Sequence, residues 1–90
     1  MTGPYETEVD ALDGPLYREV HELHEPGRYR NEAIGHVVAA TQFRHLKLAC
    51  AEAGVELGAF DRKILEWLSG YEASTVQVII GLISRAGAAS

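Results

Sequence analysis

The segment that most constrains the fold is NEAIGHVVAATQFRHLKLACAEAG at residues 31–54, the longest stretch with helical periodicity. Asn31 is a candidate N-cap and Gly54 a candidate C′ residue, which predicts a helix of about 22 residues. At about 100° per residue, its apolar side chains fall on two arcs. One arc holds Ile34, Val37, Val38 and Leu48, and the other holds Ala39, Phe43, Leu46, Cys50 and Ala53. Because a helix that is apolar on two flanks packs on both, this segment is predicted to be the central helix.

Two shorter helices are predicted on either side of the central one. In DGPLYREVHELHE at residues 13–25, Leu16, Val20 and Leu23 share one face. In GAFDRKILEWLSGY at residues 58–71, apolar residues recur at three- and four-residue steps. They are Leu57 just before the segment, then Phe60, Ile64, Trp67 or Leu68, and Tyr71. This spacing predicts a helix whose apolar side, Trp67 included, joins the core.

The last segment, EASTVQVIIGLISRAG at residues 72–87, is open to two readings. Its β-branched run over residues 75–80 also suits a strand. A helix capped by Ser74 and closed by Gly87 is favoured, because its apolar residues follow helical spacing. Gln77, Gly81, Ser84 and Arg85 then gather on the opposite side.

The start of the chain differs from the rest in charge. Residues 1–25 carry seven acidic residues and one basic residue, a net −6, whereas residues 26–90 carry a net +1. Residues 1–13 lack periodicity and contain Gly3 and Pro4, so they are predicted to be a flexible acidic arm. Residues 14–90 are predicted to form a single all-α domain, a compact bundle of about four helices.

Length and composition indicate a soluble protein of the cytoplasm. Ninety residues make one domain. With a single cysteine the chain has no intrachain disulfide, and proteins of reducing compartments usually lack disulfides. The N-terminus has no apolar leader. The longest apolar run, VIIGLI at residues 78–83, is far shorter than the roughly 20 residues that span a bilayer. No contact with a membrane is expected.

Residues 21–25, HELHE, are the strongest candidate for a metal site. His21 and His24 are three apart on one helix face, a spacing that can hold one ion. The zinc-protease pattern differs, because its histidines are four apart with the catalytic glutamate between them. The sequence gives no third ligand beside the pair. The segment is therefore predicted to be a polar helix end, with no metal and no cofactor.

No constellation of catalytic residues stands out either. Cys50 lies on an apolar arc, where cysteine usually acts as a small buried hydrophobe. The serines lack the context of a nucleophile elbow, and the glycines form no phosphate-binding loop. The chain is predicted not to be an enzyme.

Nucleic-acid binding is the main alternative to protein binding. Residues 61–86 predict a helix, a turn and a helix, which superficially matches a helix-turn-helix. A weak basic patch is formed by Arg28, Arg30, Arg44 and Lys47, a net +3 over residues 28–47 once Glu32 is counted. The second helix offers few groups to base edges, and the chain is acidic overall. A small DNA-binding regulator therefore stays the second hypothesis.

Self-association through the last helix is also predicted. Its apolar arc is wider than two neighbours from the same chain would cover. The edge of that arc is the candidate surface, formed by Val78, Ile79, Gly81 and Leu82. Since monomers seldom leave such a patch open, a homodimer is expected, unless the short N-terminal helix covers the patch.

The C-terminal third of the chain resembles a known group of proteins. The pattern Leu-Gly-x-x-Asp, Ile-x-x-Trp-Leu and Thr-Val, ending in Gly-Leu-Ile-x-Arg-Ala, is similar to one in small uncharacterised helical proteins of high-GC Gram-positive bacteria and their phages and mobile elements. Its positions here are Leu57, Gly58, Asp61, Ile64, Trp67, Leu68, Thr75, Val76, Gly81, Leu82, Ile83, Arg85 and Ala86. The resemblance implies a cytoplasmic accessory or regulatory protein and carries no activity or site residues. A non-enzymatic function through a protein partner is the expectation.

Overall fold

The structure, a computed structural model, describes residues 3–25 and 31–89, and for residues 31 and 32 the backbone only. These residues form helices and no strand. The helices are α1 (Glu8–Leu12), α2 (Pro15–Leu23), α3 (Asn31–Glu52), α4 (Ala59–Leu68) and α5 (Ala73–Ala89). The predicted all-α fold is confirmed, and the segment for which a strand stayed open is helical.

The predicted long helix is α3, and it is central, since α2, α4 and α5 all lie against it. It ends at Glu52, and Gly54 is the C′ residue, as predicted. Gly54 has φ +77°, a left-handed conformation that glycine adopts without steric cost. Val55 N–H donates to Cys50 C=O at 2.8 Å and Gly54 N–H donates to Ala51 C=O at 3.1 Å. These two bonds form a Schellman motif, which satisfies carbonyls that the helix end would otherwise leave open.

The main hydrophobic cluster of the described residues is small and comes from three helices. Its buried members are Leu16 and Val20 of α2, Leu46 of α3 and Val76 of α5. Partly buried side chains surround them, namely Val38, Leu65, Leu68, Ile79 and Ile80. Helix α4 reaches this core only through Leu65 and Leu68, and none of its residues is fully buried.

Helix α5 is longer than predicted at both ends. It begins at Ala73, so Ser74 lies inside the helix, and it continues past Gly87 to Ala89. A Cβ built on Gly87 would lie 2.6 Å from the Cβ of Ala53. Gly87 is therefore a close-contact residue between α5 and the end of α3, and not the end of the helix.

The expectation that residues 1–13 lack regular structure is wrong for residues 8–12. Thr7 caps α1: its Oγ1 accepts from Asp10 N–H at 3.3 Å, and Asp10 Oδ2 accepts from Thr7 N–H at 3.2 Å. The helix lies against α5 and α2, and Ala11 is only 2% exposed. Five residues are too few to show a periodic face, and so short a helix depends on tertiary contacts.

No helix among the described residues is long and apolar enough to cross a membrane.

Candidate protein-interaction surface

Helix α4 begins and ends at well-defined positions. Gly58 N–H donates to Asp61 Oδ2 at 2.9 Å, which caps the first turn. At the other end, Ser69 N–H donates to Leu65 C=O at 2.9 Å and Ser69 Oγ donates to Glu66 C=O at 2.6 Å. The side chains between these ends are therefore held on a fixed helical surface.

One face of this helix consists of large apolar side chains that lie in solvent. They are Phe60 (71% exposed), Ile64 (44%), Trp67 (62%) and, just after the helix, Tyr71 (47%). We call these four residues the α4 seam. Their steps of four, three and four residues are those of the contact positions in a coiled coil.

The prediction that Trp67 belongs to the core is wrong. Leu65 and Leu68 lie on the neighbouring face of α4, and it is they that turn inward. Two apolar faces side by side on one helix satisfy the same sequence periodicity. Which of them packs inward is decided by where α3 and the core lie, and the periodicity does not contain that information.

The α4 seam is comparable in area to the largest exposed apolar patch of a typical monomeric protein. Aromatic side chains present on the order of 200 Å² each. The exposed fractions of Phe60, Trp67 and Tyr71 therefore correspond to roughly 350 Å². The rings of Trp67 and Tyr71 meet edge to face, with centroids 5.0 Å apart. Contiguous apolar patches of about this size on monomers are often functional.

A buried glutamine holds the C-terminal end of the seam in place. Gln42 of α3 is 1% exposed, and its Nε2 donates to both Ser69 C=O and Tyr71 C=O at 2.8 Å. These bonds fix the turn after α4, and with it the backbone of Tyr71. The Oε1 of Gln42 has no hydrogen-bond partner among the described residues. Gln42 was not predicted from the sequence to be a functional residue, although a glutamine beside Phe43 and Leu46 of an apolar arc is a signal of a buried amide.

The histidines of HELHE make contacts within or beside their own helix. His24 Nδ1 donates to Val20 C=O at 2.9 Å, and the ring of His21 lies 5.9 Å from that of Tyr17. In the part of the chain that the structure describes, no three side chains of histidine, cysteine, aspartate or glutamate are grouped to hold a metal ion.

The predicted basic patch is only partly within the described residues. Arg28 and Arg30 lie outside them. Arg44 forms an ion pair with Glu19, and the Nζ of Lys47 lies 4.2 Å from the centre of the Phe43 ring. Both described cations thus already have a partner in the chain.

Glu19 joins α2 to α3 by binding two side chains. Besides Arg44, it accepts from His45 Nε2 at 2.7 Å. The hydrogen bond from His45 and the positive charge of Arg44 lower the pKa of Glu19, against the opposing effect of burial. The cluster stabilises the contact between the two helices while the carboxylate is charged.

The four residues of the predicted self-association surface do not form one exposed patch. Leu82 is 52% exposed, whereas Gly81 is buried and Ile79 packs against the core. Val78 is half-buried, in a shallow depression that it shares with Tyr5 and Ala11 of the N-terminal segment. The N-terminal segment thus covers part of the arc on α5.

Cys50 is buried at the C-terminal end of α3. Burial raises the pKa of its thiol, and the nearby charge of Asp61 acts in the same direction. A protonated, enclosed thiol is a poor nucleophile.

Comparison of the chain with protein-family models, curated proteins and solved structures gave no match. The resemblance of residues 57–86 to other proteins therefore stays a prediction.

Proposed function

We propose that this chain is a non-enzymatic protein-interaction module that binds a helix of a partner protein through the α4 seam. The observation that carries the proposal is the exposure of four large apolar side chains, spaced as in a coiled coil, along α4 and the turn that follows it. Tryptophan and tyrosine are the residues on which binding energy is most often concentrated in protein interfaces. Such a seam fits a partner helix whose apolar side chains have the same periodicity.

The seam is also pre-organised for binding. Gln42 fixes the turn that carries Tyr71, and the edge-to-face contact restricts the ring of Trp67. Side chains held before binding lose less conformational entropy when a partner arrives. The area is small by the standard of specific interfaces, so we expect a reversible, micromolar interaction.

The helix-turn-helix alternative receives less support from the geometry. Helix α5, which would be the recognition helix, lies against α1, α2 and α3. Its Gln77 is buried and donates to Tyr5 Oη at 2.7 Å, so this polar group is not free for a base edge. The ion pair of Arg44 with Glu19 weakens the basic patch further.

A cytoplasmic location and an accessory or regulatory role fit this proposal. The buried free thiol of Cys50 is common in reducing compartments. The link to phages and mobile elements rests on the resemblance of the C-terminal third alone.

Site-specific photo-crosslinking in cells that naturally carry the protein tests the proposal. A benzophenone amino acid at Phe60 is expected to give a discrete cross-linked product that Ile64→Glu abolishes. The same group at Leu48, exposed on α3, is the matched control and should give no such product. Equal products from both positions, or none from Phe60, would contradict the proposal.

A further inference from the structure

We infer that the partner helix at the α4 seam is the α4 seam of a second copy of this chain, paired antiparallel about a two-fold axis. The inference rests on the proposed function and names its partner. Closed two-fold dimers are the commonest assemblies of soluble proteins, and in them one patch must complement itself.

The spacing of the seam is symmetric. The steps from Phe60 to Ile64, Trp67 and Tyr71 are four, three and four, which read the same in both directions. In an antiparallel pair, Phe60 therefore meets the partner's Tyr71, and Ile64 meets the partner's Trp67. Each contact joins an aromatic ring to another ring or to a β-branched side chain, so bulky groups fill the whole length of the seam.

The charges at the border of the seam are complementary in the antiparallel direction. At about 100° per residue, Lys63 lies next to the seam on the side away from Leu68, and Glu66 lies further round on that side. Both are exposed. Antiparallel pairing brings Lys63 near the partner's Glu66, and Glu66 near the partner's Lys63. Parallel pairing would instead place this flank of one helix beside the opposite flank of the other, so Lys63 would not meet the partner's Glu66.

The surface area that the dimer would bury indicates how tightly two copies bind. Two copies would bury roughly 700 Å² of ring surface, to which Ile64 and the aliphatic stem of Lys63 add. The total approaches the lower end of specific interfaces, about 1,200 Å². A dimer with a micromolar dissociation constant follows.

Trp67 is the only tryptophan and lies in the seam, so its fluorescence reports directly on this contact. Sedimentation of the full chain from low to high micromolar concentration should reveal a monomer–dimer equilibrium. The emission of Trp67 should shift to shorter wavelength over the same range, because the ring leaves water.

Two matched variants locate the contact. Ile64→Glu should weaken the dimer about a hundredfold or more, because it puts an unpaired carboxylate inside the interface, while thermal unfolding stays close to wild type. Leu82→Glu, at a similarly exposed position on α5, should dimerise like wild type. A dimer that survives Ile64→Glu, or that Leu82→Glu disrupts in its place, overturns the inference.

A charge exchange tests the direction of pairing. Lys63→Glu alone and Glu66→Lys alone should each weaken self-association roughly five- to tenfold, because each puts like charges across the axis. An equimolar mixture of the two variants should restore wild-type affinity as a heterodimer, in which opposite charges meet at both borders. If the mixture is no tighter than the separate variants, antiparallel pairing is wrong.

Sedimentation that shows only monomeric wild-type protein at high micromolar concentration would overturn the inference. That result would not contradict the proposed function, since the Phe60 cross-link would still capture a different partner protein. A monomeric chain that also gives no cross-link from Phe60 would contradict both the inference and the proposed function.

Discussion

At the scale of single residues, Gln42 determines the geometry of the candidate surface more than any exposed side chain does. Its amide crosses from α3 to the turn after α4 and satisfies two backbone carbonyls. A buried carbonyl that loses its donor costs about 1–3 kcal/mol, because it also cannot reach water.

We predict that Gln42→Leu lowers the free energy of unfolding by about 2 kcal/mol and increases the mobility of Trp67. Urea unfolding measures the first effect, and fluorescence anisotropy of Trp67 measures the second. Gln77→Leu is the matched control, since it removes a buried amide that binds Tyr5 and not the turn after α4. An anisotropy that falls equally in both variants would contradict the role assigned to Gln42.

Glu19 makes stability depend on pH in a direction that can be worked out. Its pKa in the folded chain lies below the reference value of 4.5, so folding is favoured while the carboxylate is charged. This contribution is complete above pH 4.5 and is lost as the pH falls through the folded pKa.

We therefore predict that wild type is more stable than Glu19→Gln at neutral pH, by up to about 1 kcal/mol because the pair is partly exposed. The difference should shrink below pH 4.5. Urea unfolding at a series of pH values checks this, with Glu22→Gln as the control for loss of charge from α2. A difference that stays constant down to strongly acidic pH would disprove the linkage.

At the scale of helices, the same residue type has opposite roles at two positions. Gly87 lies where α5 approaches α3 so closely that a methyl group would meet Ala53, whereas a Cβ on Gly35 of α3 meets nothing within 4 Å. Glycine inside a helix otherwise costs roughly 0.5–1 kcal/mol relative to alanine.

The two alanine substitutions should consequently change the free energy of unfolding in opposite directions. Gly35→Ala is expected to raise the free energy of unfolding by up to about 1 kcal/mol. Gly87→Ala is expected to lower it by about 1–3 kcal/mol, since the two helices must move apart. Thermal and urea unfolding distinguish them, and stabilisation by both would show that α3 and α5 are not in tight contact at this point.

At the scale of the whole molecule, the N-terminal segment closes the bundle. The hydrogen bond between Tyr5 and Gln77 joins residues 72 positions apart, and α1 lies on α5. A domain of this size has a thin core, so even a short helix contributes a noticeable share of the total stability.

We predict that removing residues 1–13 lowers the midpoint of thermal unfolding by roughly 5–10 °C, the equivalent of about 1–2 kcal/mol in a domain of this length. Calorimetry measures the shift. Ala11→Glu should reproduce most of it, because Ala11 is buried, while Val9→Ser on the exposed side of α1 should not. An unchanged midpoint in the shortened chain would mean that the segment only solubilises the fold.

The sequence alone determined the elements whose signals are local. The long helix follows from side-chain periodicity over residues 31–54, and its end follows from Gly54, whose conformation few other residues adopt. Helix α5 follows from helical spacing, which outweighed the strand preference of its β-branched residues. Periodicity and capping depend on neighbours within about one turn of the helix, so they are encoded where they act.

Only the tertiary structure decided which surfaces are buried. The periodicity of α4 allowed either of two adjacent faces to pack. The contact with α3 turned Leu65 and Leu68 toward the core and left Trp67 exposed. The polar side of α5 is buried at Gln77 because the N-terminal segment lies on it. Gln42 holds the turn after α4 because it binds carbonyls that lie 27 and 29 positions away in the chain. Burial depends on segments that are distant in the chain, and no local pattern contains their positions.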